Sequence, residues 1–383
     1  MTSRPPAPGG EPGDAVIARS IERWFATAKR DLPWRVAPDA PGLKRNPYHA
    51  LVAEAMLQQT QVSRVIDKYR AFIAALPTVA DLARADERRV LALWTGLGYY
   101  RRAKNLHAAA KLIVERFHGE VPRDAESLRS LKGVGRYTAG AVASIAFDRP
   151  EPIVDGNVAR VLLRLHARDA ASDDKAVQPW LWERAAALVT AAASPAAFNE
   201  GLMELGATVC LPPPAAPACP ACPLRRSCRA HATGRELEIP RPKARATRRN
   251  VHCAVVVIRR DDGATLLEQR PPTGVMWAGL WQAPTVESES AMPGPAALAK
   301  AVGLYGRALS PRETFSFTAT HRQMQFTVHE VRSPEGFKPA RGVFVPASDL
   351  AEYALSTPQR RALGLTTGAG KAGRLRRPPR SRG

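Results

Sequence analysis

The chain has few acidic residues, few cysteines and no long apolar run, and each shortage excludes a class of protein. Its 383 residues carry 35 Asp and Glu against 56 Lys and Arg, a formal net charge of +21. That excess favours a polyanionic partner, either nucleic acid or an acidic membrane surface, although a solubility bias is the alternative. No apolar stretch approaches the roughly 20 residues that span a bilayer, so we expect no membrane-spanning segment, and of the two polyanionic partners we expect nucleic acid and no membrane.

Two further absences concern the cell compartment. The Pro- and Gly-rich start of the chain lacks an apolar core, so we expect no secretory signal. Five cysteines, four of them clustered, do not suggest a disulfide framework. We therefore expect a reducing compartment, the cytoplasm.

Composition divides the chain into five segments. Helical spacing of apolar residues gives way to runs typical of strands, and basic stretches without acids flank the second domain. The expected segments are a disordered N-terminus (1–13), an all-α domain (14–232), a basic linker (233–250), an α+β domain (251–365) and a basic disordered tail (366–383).

Individual elements follow from periodicity and from turn residues. A first helix is predicted after a cap at Asp14, and Pro47 suits the first turn of another. Asp261-Asp262-Gly263 predicts a hairpin between the first two strands. Further helices are predicted over 63–75, 87–94, 104–117, 156–166, 180–192, 196–205, near 346–353 and near 358–363, and strands over 251–259, 265–269, 315–320 and 323–331.

A glycine turn between two helices occupies Leu131-Lys132-Gly133-Val134-Gly135-Arg136. Two glycines allow the backbone to approach a ligand, and the helix that follows presents free N–H groups and a positive dipole end. We therefore predict that Gly133 and Gly135 contact a DNA phosphate. A helix–turn–helix corner without a ligand is the alternative.

Two carboxylates lie where the local sequence controls their protonation. Glu54 stands in an apolar helical segment between Ala53 and Ala55, so desolvation should raise its pKa into the range of a general acid. Asp155 opens a helix, where cap hydrogen bonds hold a carboxylate ionised and in place. The alternatives are a Glu54 that reaches solvent or pairs with an arginine, and an Asp155 that acts only as a cap.

Four of the five cysteines form a compact cluster of potential metal ligands. Thiolates in this number and proximity bind an iron–sulfur cluster or zinc. Cys253 stands apart in a predicted strand and is expected to be a buried apolar residue. The predicted ligands are Cys210, Cys219, Cys222 and Cys228, with eight, two and five residues between them.

Together, the glycine hairpin, the helix start at Asp155 and the cysteine loop resemble the endonuclease III superfamily of DNA glycosylases. Asp31-Leu-Pro-Trp-Arg35, Glu54-Ala-Met-Leu-Gln-Gln-Thr-Gln-Val62 and Gly96-Leu-Gly-Tyr-Tyr100 resemble its MutY-type adenine DNA glycosylases. The resemblance covers residues 15–230 strongly and 250–360 more weakly. It implies an all-α helix-hairpin-helix glycosylase domain with a 4Fe–4S cluster loop over 210–228, followed by an α+β Nudix-like domain.

The resemblance also implies an activity, base excision repair by a monomer associated with the nucleoid. Its substrate would be double-stranded DNA in which adenine faces 8-oxoguanine or guanine. Glu54 would protonate the flipped-out adenine, and Asp155 would stabilise the oxocarbenium-like sugar before water completes hydrolysis. The remaining residues implied at this pocket are Tyr137 and Asn157 beside Asp155, and Arg35 and Glu200 beside the adenine.

Contacts to the opposite base are implied in both domains. In the first domain, two loops carry side chains of the types that read base edges or wedge into the base stack. Helix capping and core packing are the alternative roles of these side chains. In the second, the family's Phe-Ser-His loop aligns with Ala319-Thr320-His321, which keeps the hydroxyl and the imidazole and lacks the aromatic ring. The implied contacts are Gln58, Gln59, Thr60, Leu97 and Tyr99 in the first domain and Thr320 and His321 in the second.

At three places the chain departs from the sequence patterns of related proteins, and each departure narrows the predicted function or cofactor. Lyase members carry a lysine where Tyr137 stands, so we predict a monofunctional glycosylase that forms no Schiff base. The Nudix-like domain has Gly279-Leu-Trp-Gln-Ala-Pro284 but no glutamate-rich metal helix in 285–310, so we expect no pyrophosphate hydrolysis. The family leaves six residues between the first two cysteines, and we expect the loop 211–218 to absorb two more, with zinc as the alternative to the cluster.

Two other functions remain open at this point. One is an endonuclease III-like glycosylase and lyase that acts on oxidised pyrimidines. The other is a non-catalytic protein that binds damaged DNA on an inherited scaffold.

Overall fold

A computed structural model describes residues 13–35, 44–242, 248–319 and 321–365. The chain forms two compact units, divided after Arg245. Within the described ranges, no helix is both long enough and apolar enough to cross a membrane. Thr320, residues 1–12 of the predicted N-terminal segment and the predicted tail 366–383 lie outside the described residues.

The described part of the first unit contains α-helices and short 3-10 turns and no strand, which confirms the predicted all-α class. Its helices are α1 (Asp14–Ala28), α2 (Pro47–Leu57), α3 (Val62–Ala75), α4 (Val79–Arg84), α5 (Glu87–Leu93), α6 (Arg101–Arg116), α7 (Ala125–Arg129), α8 (Arg136–Phe147), α9 (Gly156–Leu165), α10 (Gln178–Thr190), α11 (Pro195–Thr208) and α12 (Arg229–Ala232).

The predicted helices correspond to the observed ones with ends that differ by a few residues. The predicted cap at Asp14 is wrong, because Gly13 takes the N-cap position and Asp14 lies inside α1. Its carboxylate instead accepts a hydrogen bond of 2.8 Å from Arg184 on α10. Helices α4 and α7 were not predicted, because six and five residues are too few to show a helical periodicity of apolar residues.

Helix α11 packs closely against two neighbours because it carries glycines at the contacts. A Cβ atom on Gly201 would lie 2.7 Å from a methyl carbon of Ile21 on α1, and one on Gly206 would lie 2.5 Å from Cβ of Asn157 on α9. Real Cβ atoms do not approach that closely, so a larger residue would force the helices apart. The close packing brings the acidic residues of α11 and the start of α9 to one side of the unit.

In its described residues, the second unit consists of a mixed sheet and two α-helices. The central strand β1 runs parallel to β6 along its whole length, and every other strand pair is antiparallel. The sheet order is β3-β2-β1-β6-β5, with β4 beside β1 and β7 beside β2. The elements are β1 (Arg249–Arg259), β2 (Thr265–Gln269), β3 (Trp281–Gln282), β4 (Thr285–Ser288), α13 (Pro295–Ala301), β5 (Pro311–Ala319), β6 (Arg322–Arg332), β7 (Val343–Val345) and α14 (Thr357–Ala362).

Both faces of β1 are buried, which explains its continuous apolar run. Val255 and Val257 belong to the core on one face, and Val256 and Ile258 belong to the core on the other. Cys253 is also fully buried, as predicted for an apolar role. The predicted hairpin is confirmed, since β1 and β2 are paired through a turn at Gly263, where φ is +83°.

One helix prediction in the second unit needs correction. The helix predicted over 346–353 is wrong, because only a 3-10 turn forms at Leu350–Glu352. The chain then extends so that the carbonyl of Ala354 accepts a hydrogen bond from the Trp281 amide. Ile239, in the predicted linker 233–250, lies within the first unit, where it is fully buried and its carbonyl accepts a hydrogen bond from Arg164.

Candidate active site

A cavity of about 680 Å³ in the first unit is lined by α2, the glycine turn, and the starts of α8 and α9 together with α11. Every residue of the first unit that the sequence analysis places at the sugar or the adenine lines it. Several further lining residues come from the loop before α2 and from α11. The predicted residues in the wall are Arg35, Glu54, Gln58, Gln59, Thr60, Gly133, Gly135, Tyr137, Asp155, Asn157 and Glu200, and the additional ones include Arg30, Trp34, Met203 and Glu204.

Glu54 is a buried acid in the wall of this cavity. Only 7% of its surface is exposed, because α2 is buried at nearly every position around it. Burial raises the pKa of Glu54 to about 7, a hydrogen bond with Tyr137 opposes the shift, and the charges of Asp155 and Glu200 add to it. A carboxyl with this pKa is partly protonated at neutral pH and can donate a proton to a substrate.

Tyr137 lies in the first turn of α8, at the position where a lyase would need an amine. Its hydroxyl is hydrogen-bonded to Glu54 and lies 3.3 Å from the sulfur of Met203. Burial raises the pKa of Tyr137 well above its usual value, and the charges of Glu54 and Asp155 add to the shift. The phenol therefore stays protonated and serves as a neutral donor beside the carboxyl groups.

Asp155 is the N-cap of α9 and is fixed from two sides. One carboxylate oxygen accepts a hydrogen bond of 2.7 Å from the Val158 amide, and the other accepts one of 3.0 Å from the Asn157 side chain. Burial raises the pKa of Asp155, although these hydrogen bonds and the charge of Arg160 lower it. The cap thus holds the carboxylate in place as the sequence predicts, but burial has the larger effect on its protonation.

A buried ion cluster forms the wall near α11. The Glu200 carboxylate pairs with Arg35 at 3.0 Å and with Arg45 at 2.9 Å. The Glu204 carboxylate pairs with Arg30 at 2.6 Å and with Arg35 at 2.9 Å. Burial alone would raise the pKa of Glu204, but the hydrogen bonds and charges of Arg30 and Arg35 lower it. Arg35 thus fixes both acids.

Arg30, Arg45 and Glu204 were not predicted from the sequence. The signal for them is the spacing of Glu200 and Glu204, which lie four residues apart on one face of α11. Two buried carboxylates on one helix face require basic partners from elsewhere in the fold. The sequence does not show which arginines supply them.

The two predicted opposite-base loops differ in exposure. Gln59 is exposed and Tyr99 is 44% exposed, whereas Leu97 is only 5% exposed and packs in the core. The Gln58 side chain donates a hydrogen bond of 3.2 Å to the Thr138 hydroxyl. Leu97 therefore fits the core-packing alternative, and Tyr99 is the side chain available to enter a base stack.

The glycine turn has the geometry of a backbone anion site. Gly133 adopts a φ of +79°, and a Cβ atom there would lie 2.6 Å from Asn105, so glycine is required. Gly135 is the N-cap of α8 and provides no side-chain acceptor for the first N–H groups of that helix. Nothing lies within 4 Å of a Cβ atom built on Gly135, so the backbone there is open to a ligand.

In the second unit, His321 follows β5 at the turn before β6. It is exposed, and its carbonyl accepts a hydrogen bond of 2.9 Å from the Arg249 amide. Thr320, the other predicted contact, lies outside the described residues. Helix α13, in the region where a Nudix hydrolase would carry its glutamates, has no acidic residue.

The four predicted metal ligands converge on one small cavity in the first unit, which Arg164 also lines. Burial raises the pKa of the Cys222 thiol to about 12, and the other three cysteines add to the shift. Arg164 donates a hydrogen bond of 3.2 Å to the sulfur of Cys210, so a positive charge already faces the group. Four soft donors on one cavity fit an iron–sulfur cluster or zinc.

The longer spacing between Cys210 and Cys219 is absorbed by a closed loop. The Ala218 amide donates a hydrogen bond of 2.9 Å to the carbonyl of Val209, which returns the chain to its starting point. His231 and Glu236, which the sequence analysis misses, offer ligand atoms within 4.8 Å of the Cys219 sulfur.

Both units of the chain resemble known protein families. Residues 52–187 match the HhH-GPD superfamily of base excision DNA repair proteins, and residues 254–365 match the NUDIX domain. A solved structure of a thermostable thymine-DNA glycosylase superposes with a TM-score of 0.50 at 27% identity, over 57% of this chain and 97% of that one.

Curated relatives identify the family more closely. An adenine DNA glycosylase of Rattus norvegicus is 41% identical over 72% of this chain and 61% of its own length. One of Schizosaccharomyces pombe is 32% identical over 70% of this chain and 68% of its own length. The chain belongs to the adenine DNA glycosylase family. It matches about three-fifths of the length of the rat relative.

Proposed function

We propose that the chain is a monofunctional adenine DNA glycosylase of base excision repair. Its substrate is double-stranded DNA in which adenine faces 8-oxoguanine or guanine. The observation that carries the proposal is the pairing of Glu54, with a pKa near 7, and Asp155 in one cavity. Paired carboxylates of this kind break glycosidic bonds by acid-assisted ionisation.

The proposed reaction begins when adenine leaves the duplex and enters the cavity. Glu54 donates its proton to a ring nitrogen, and the electron pair of the C1′–N9 bond moves onto the base as the bond breaks. Asp155 stabilises the positive charge that develops on the sugar. Water adds to the anomeric carbon and passes one of its protons to the ionised Glu54 carboxylate, which restores the acid and leaves free adenine and an abasic site.

Selection of adenine is assigned to Glu200. Its carboxylate is a hydrogen-bond acceptor in the cavity wall, and Arg35 and Arg45 hold it in one orientation. An acceptor held in this way suits the exocyclic amino group of adenine. Recognition of 8-oxoguanine is assigned to Thr320 and His321, whose hydroxyl and imidazole are suitable polar groups.

We propose that Cys210, Cys219, Cys222 and Cys228 hold a 4Fe–4S cluster. When bound, such a cluster would fix the loop that follows α11 and add charge beside it. Arg164 already donates to Cys210 and would support the thiolates. We further propose that the protein works in the cytoplasm on chromosomal DNA, where reducing conditions keep these thiols free.

The test is release of free base by the full chain from duplexes that carry adenine opposite 8-oxoguanine, guanine, cytosine or thymine. We expect release opposite 8-oxoguanine and more weakly opposite guanine. Glu54→Gln should bind the same duplex and release nothing, while Glu115→Gln, at an exposed position on α6, should match the wild type. A wild-type chain that binds duplexes and releases no base would support the non-catalytic alternative.

A second measurement separates the lyase alternative. Borohydride captures a Schiff base between enzyme and sugar. Because Tyr137 occupies the position of the lysine that forms the Schiff base in lyases, we expect no covalent complex from the wild-type chain. Efficient capture, together with release of an oxidised pyrimidine, would replace the proposed function by the endonuclease III-like one.

A further inference from the structure

Arg102, in the first turn of α6, is a buried guanidinium that takes no part in the proposed chemistry. It is 9% exposed, and all its hydrogen bonds found in the described residues run to uncharged oxygens. Burial lowers the pKa of Arg102 to about 10. A buried charge without a counterion destabilises a fold unless its hydrogen bonds offset the loss of water. The contacts that offset it show what the side chain holds together.

One nitrogen of the guanidinium caps the end of α2. It donates to the carbonyls of Ala55 at 2.9 Å and Met56 at 2.8 Å, and also to that of Gln58. Carbonyls in the last turn of a helix have no partner within the helix and carry the negative end of its dipole. Arg102 therefore fixes the point at which the chain leaves α2.

The other terminal nitrogen reaches a second segment. It donates to the carbonyls of Leu97 and Gly98, each at 3.1 Å, and to the hydroxyl of Thr60 at 3.0 Å. The guanidinium also lies against the ring of Tyr99, with 5.5 Å between its carbon and the ring centroid. A single side chain thus ties the loop after α2 to the loop before α6.

Each tied loop contains a strained residue that faces solvent. Gln59 has a φ of +55° and Tyr99 a φ of +46°, in the left-handed region that non-glycine residues rarely occupy. Each directly follows a residue whose carbonyl Arg102 holds, Gln58 in one loop and Gly98 in the other. Strained conformations persist where the surrounding structure over-determines them, and these two share one guanidinium.

We infer that Arg102 is a positioning residue that holds Gln59 and Tyr99 in their left-handed conformations and thereby sets the discrimination of the base opposite adenine. The inference rests on the proposed function. Lysine cannot replace the guanidinium here, because one ammonium group cannot donate to two segments in fixed directions. Loss of the two-sided guanidinium contacts of Arg102 releases the side chains of Gln59 and Tyr99. It does not move Glu54 and Asp155, which are positioned by their own helices.

The experiment uses the full chain with Arg102→Lys and Arg102→Gln, and with Arg101→Lys as a matched control on an exposed arginine of the same helix. Single-turnover release of adenine is measured opposite 8-oxoguanine and opposite guanine, normalised to the active fraction. We expect the ratio of the two rate constants to fall roughly tenfold in both Arg102 variants. The pH dependence of release, which reports Glu54, should stay at its wild-type position, and Arg101→Lys should keep the wild-type ratio.

Several outcomes would overturn the inference. They are an unchanged ratio in both variants, an equal loss of rate on both duplexes, or failure of both variants to fold, which would make Arg102 a general core residue. Thermal unfolding separates the last outcome from the others. Failure of the proposed function looks different, since the wild-type chain itself would then release no adenine.

Discussion

Arg35 and Glu200 form a buried ion pair of 3.0 Å in the wall of the active-site cavity. The same guanidinium pairs with Glu204 at 2.9 Å, so one arginine holds two carboxylates of α11. Its side chain is 10% exposed, whereas that of Arg30, the other partner of Glu204, is 39% exposed. The two arginines therefore contribute differently to the same cluster.

Replacing Arg35 by Gln should destabilise the protein by about 3–5 kcal/mol, because it leaves two buried carboxylates short of a partner. Arg30→Gln should cost less, about 1 kcal/mol, since solvent screens the more exposed pair. Urea unfolding of both variants at neutral pH measures the difference. Equal costs for the two substitutions would show that the cluster is not held chiefly by Arg35.

The raised pKa of Glu54 has consequences for both activity and stability. In the proposed reaction adenine release requires the protonated carboxyl, so its rate should fall as pH rises through about 7. Between the ordinary value of 4.5 and about 7, the folded state binds this proton while the unfolded state has lost it. Stability therefore falls across that window, by about 3 kcal/mol at most, and the loss is complete above it.

Glu54→Gln removes this titration, so its stability relative to the wild type should rise between pH 5 and pH 8. Unfolding by urea at the two pH values measures the change. The exposed Glu115→Gln serves as the control, and its difference from the wild type should be the same at both pH values. A parallel pH dependence of Glu54→Gln and the wild type would mean that Glu54 is ionised throughout the range.

Local sequence patterns are enough to predict the helical first domain and the hairpin at Gly263, whereas most of the residues gathered at the cavity were predicted through the family resemblance. The apolar neighbours of Glu54 predict its raised pKa, but its role was predicted from the family motif around it, and Tyr137 was recognised because lyase members of the family carry a lysine there. Contacts between segments that are distant in the chain could not be predicted from the sequence. Arg45 and Arg102 bind oxygens that lie far away in the chain, so only the packing of α2, α6 and α11 reveals their partners.

Asp155→Asn should separate the two roles of that residue. Asparagine is as good an N-cap as aspartate, so stability should change by no more than about 1 kcal/mol. Asparagine carries no charge to stabilise the sugar cation, so adenine release should fall by roughly a thousandfold. Asp124→Asn, at the N-cap of α7, is the matched control and should alter neither property. Retention of activity in Asp155→Asn would reduce Asp155 to a cap.

His321→Ala tests the proposed recognition of 8-oxoguanine. The imidazole is exposed, so the substitution should leave folding intact. Loss of one polar contact to the lesion should lower the preference for 8-oxoguanine over guanine by roughly tenfold, with a smaller change in the rate opposite guanine. Thr320→Ala should act in the same direction. His118→Ala, at an exposed histidine of the first unit, is the control. If His321→Ala and His118→Ala showed the same preference for 8-oxoguanine over guanine, His321 would have no role in recognising the lesion.

The cysteine loop and the lone Cys253 make a matched pair for a metal test. Both Cys222 and Cys253 are buried enough that their thiol pKa rises to about 12, but only Cys222 shares a cavity with three other thiols. Chain purified without oxygen should contain about four iron atoms and matching sulfide. Cys222→Ser should lose most of this iron and unfold at a lower temperature, whereas Cys253→Ser should keep it. Stoichiometric zinc without iron in the wild-type chain would instead assign the four thiolates to a single metal ion.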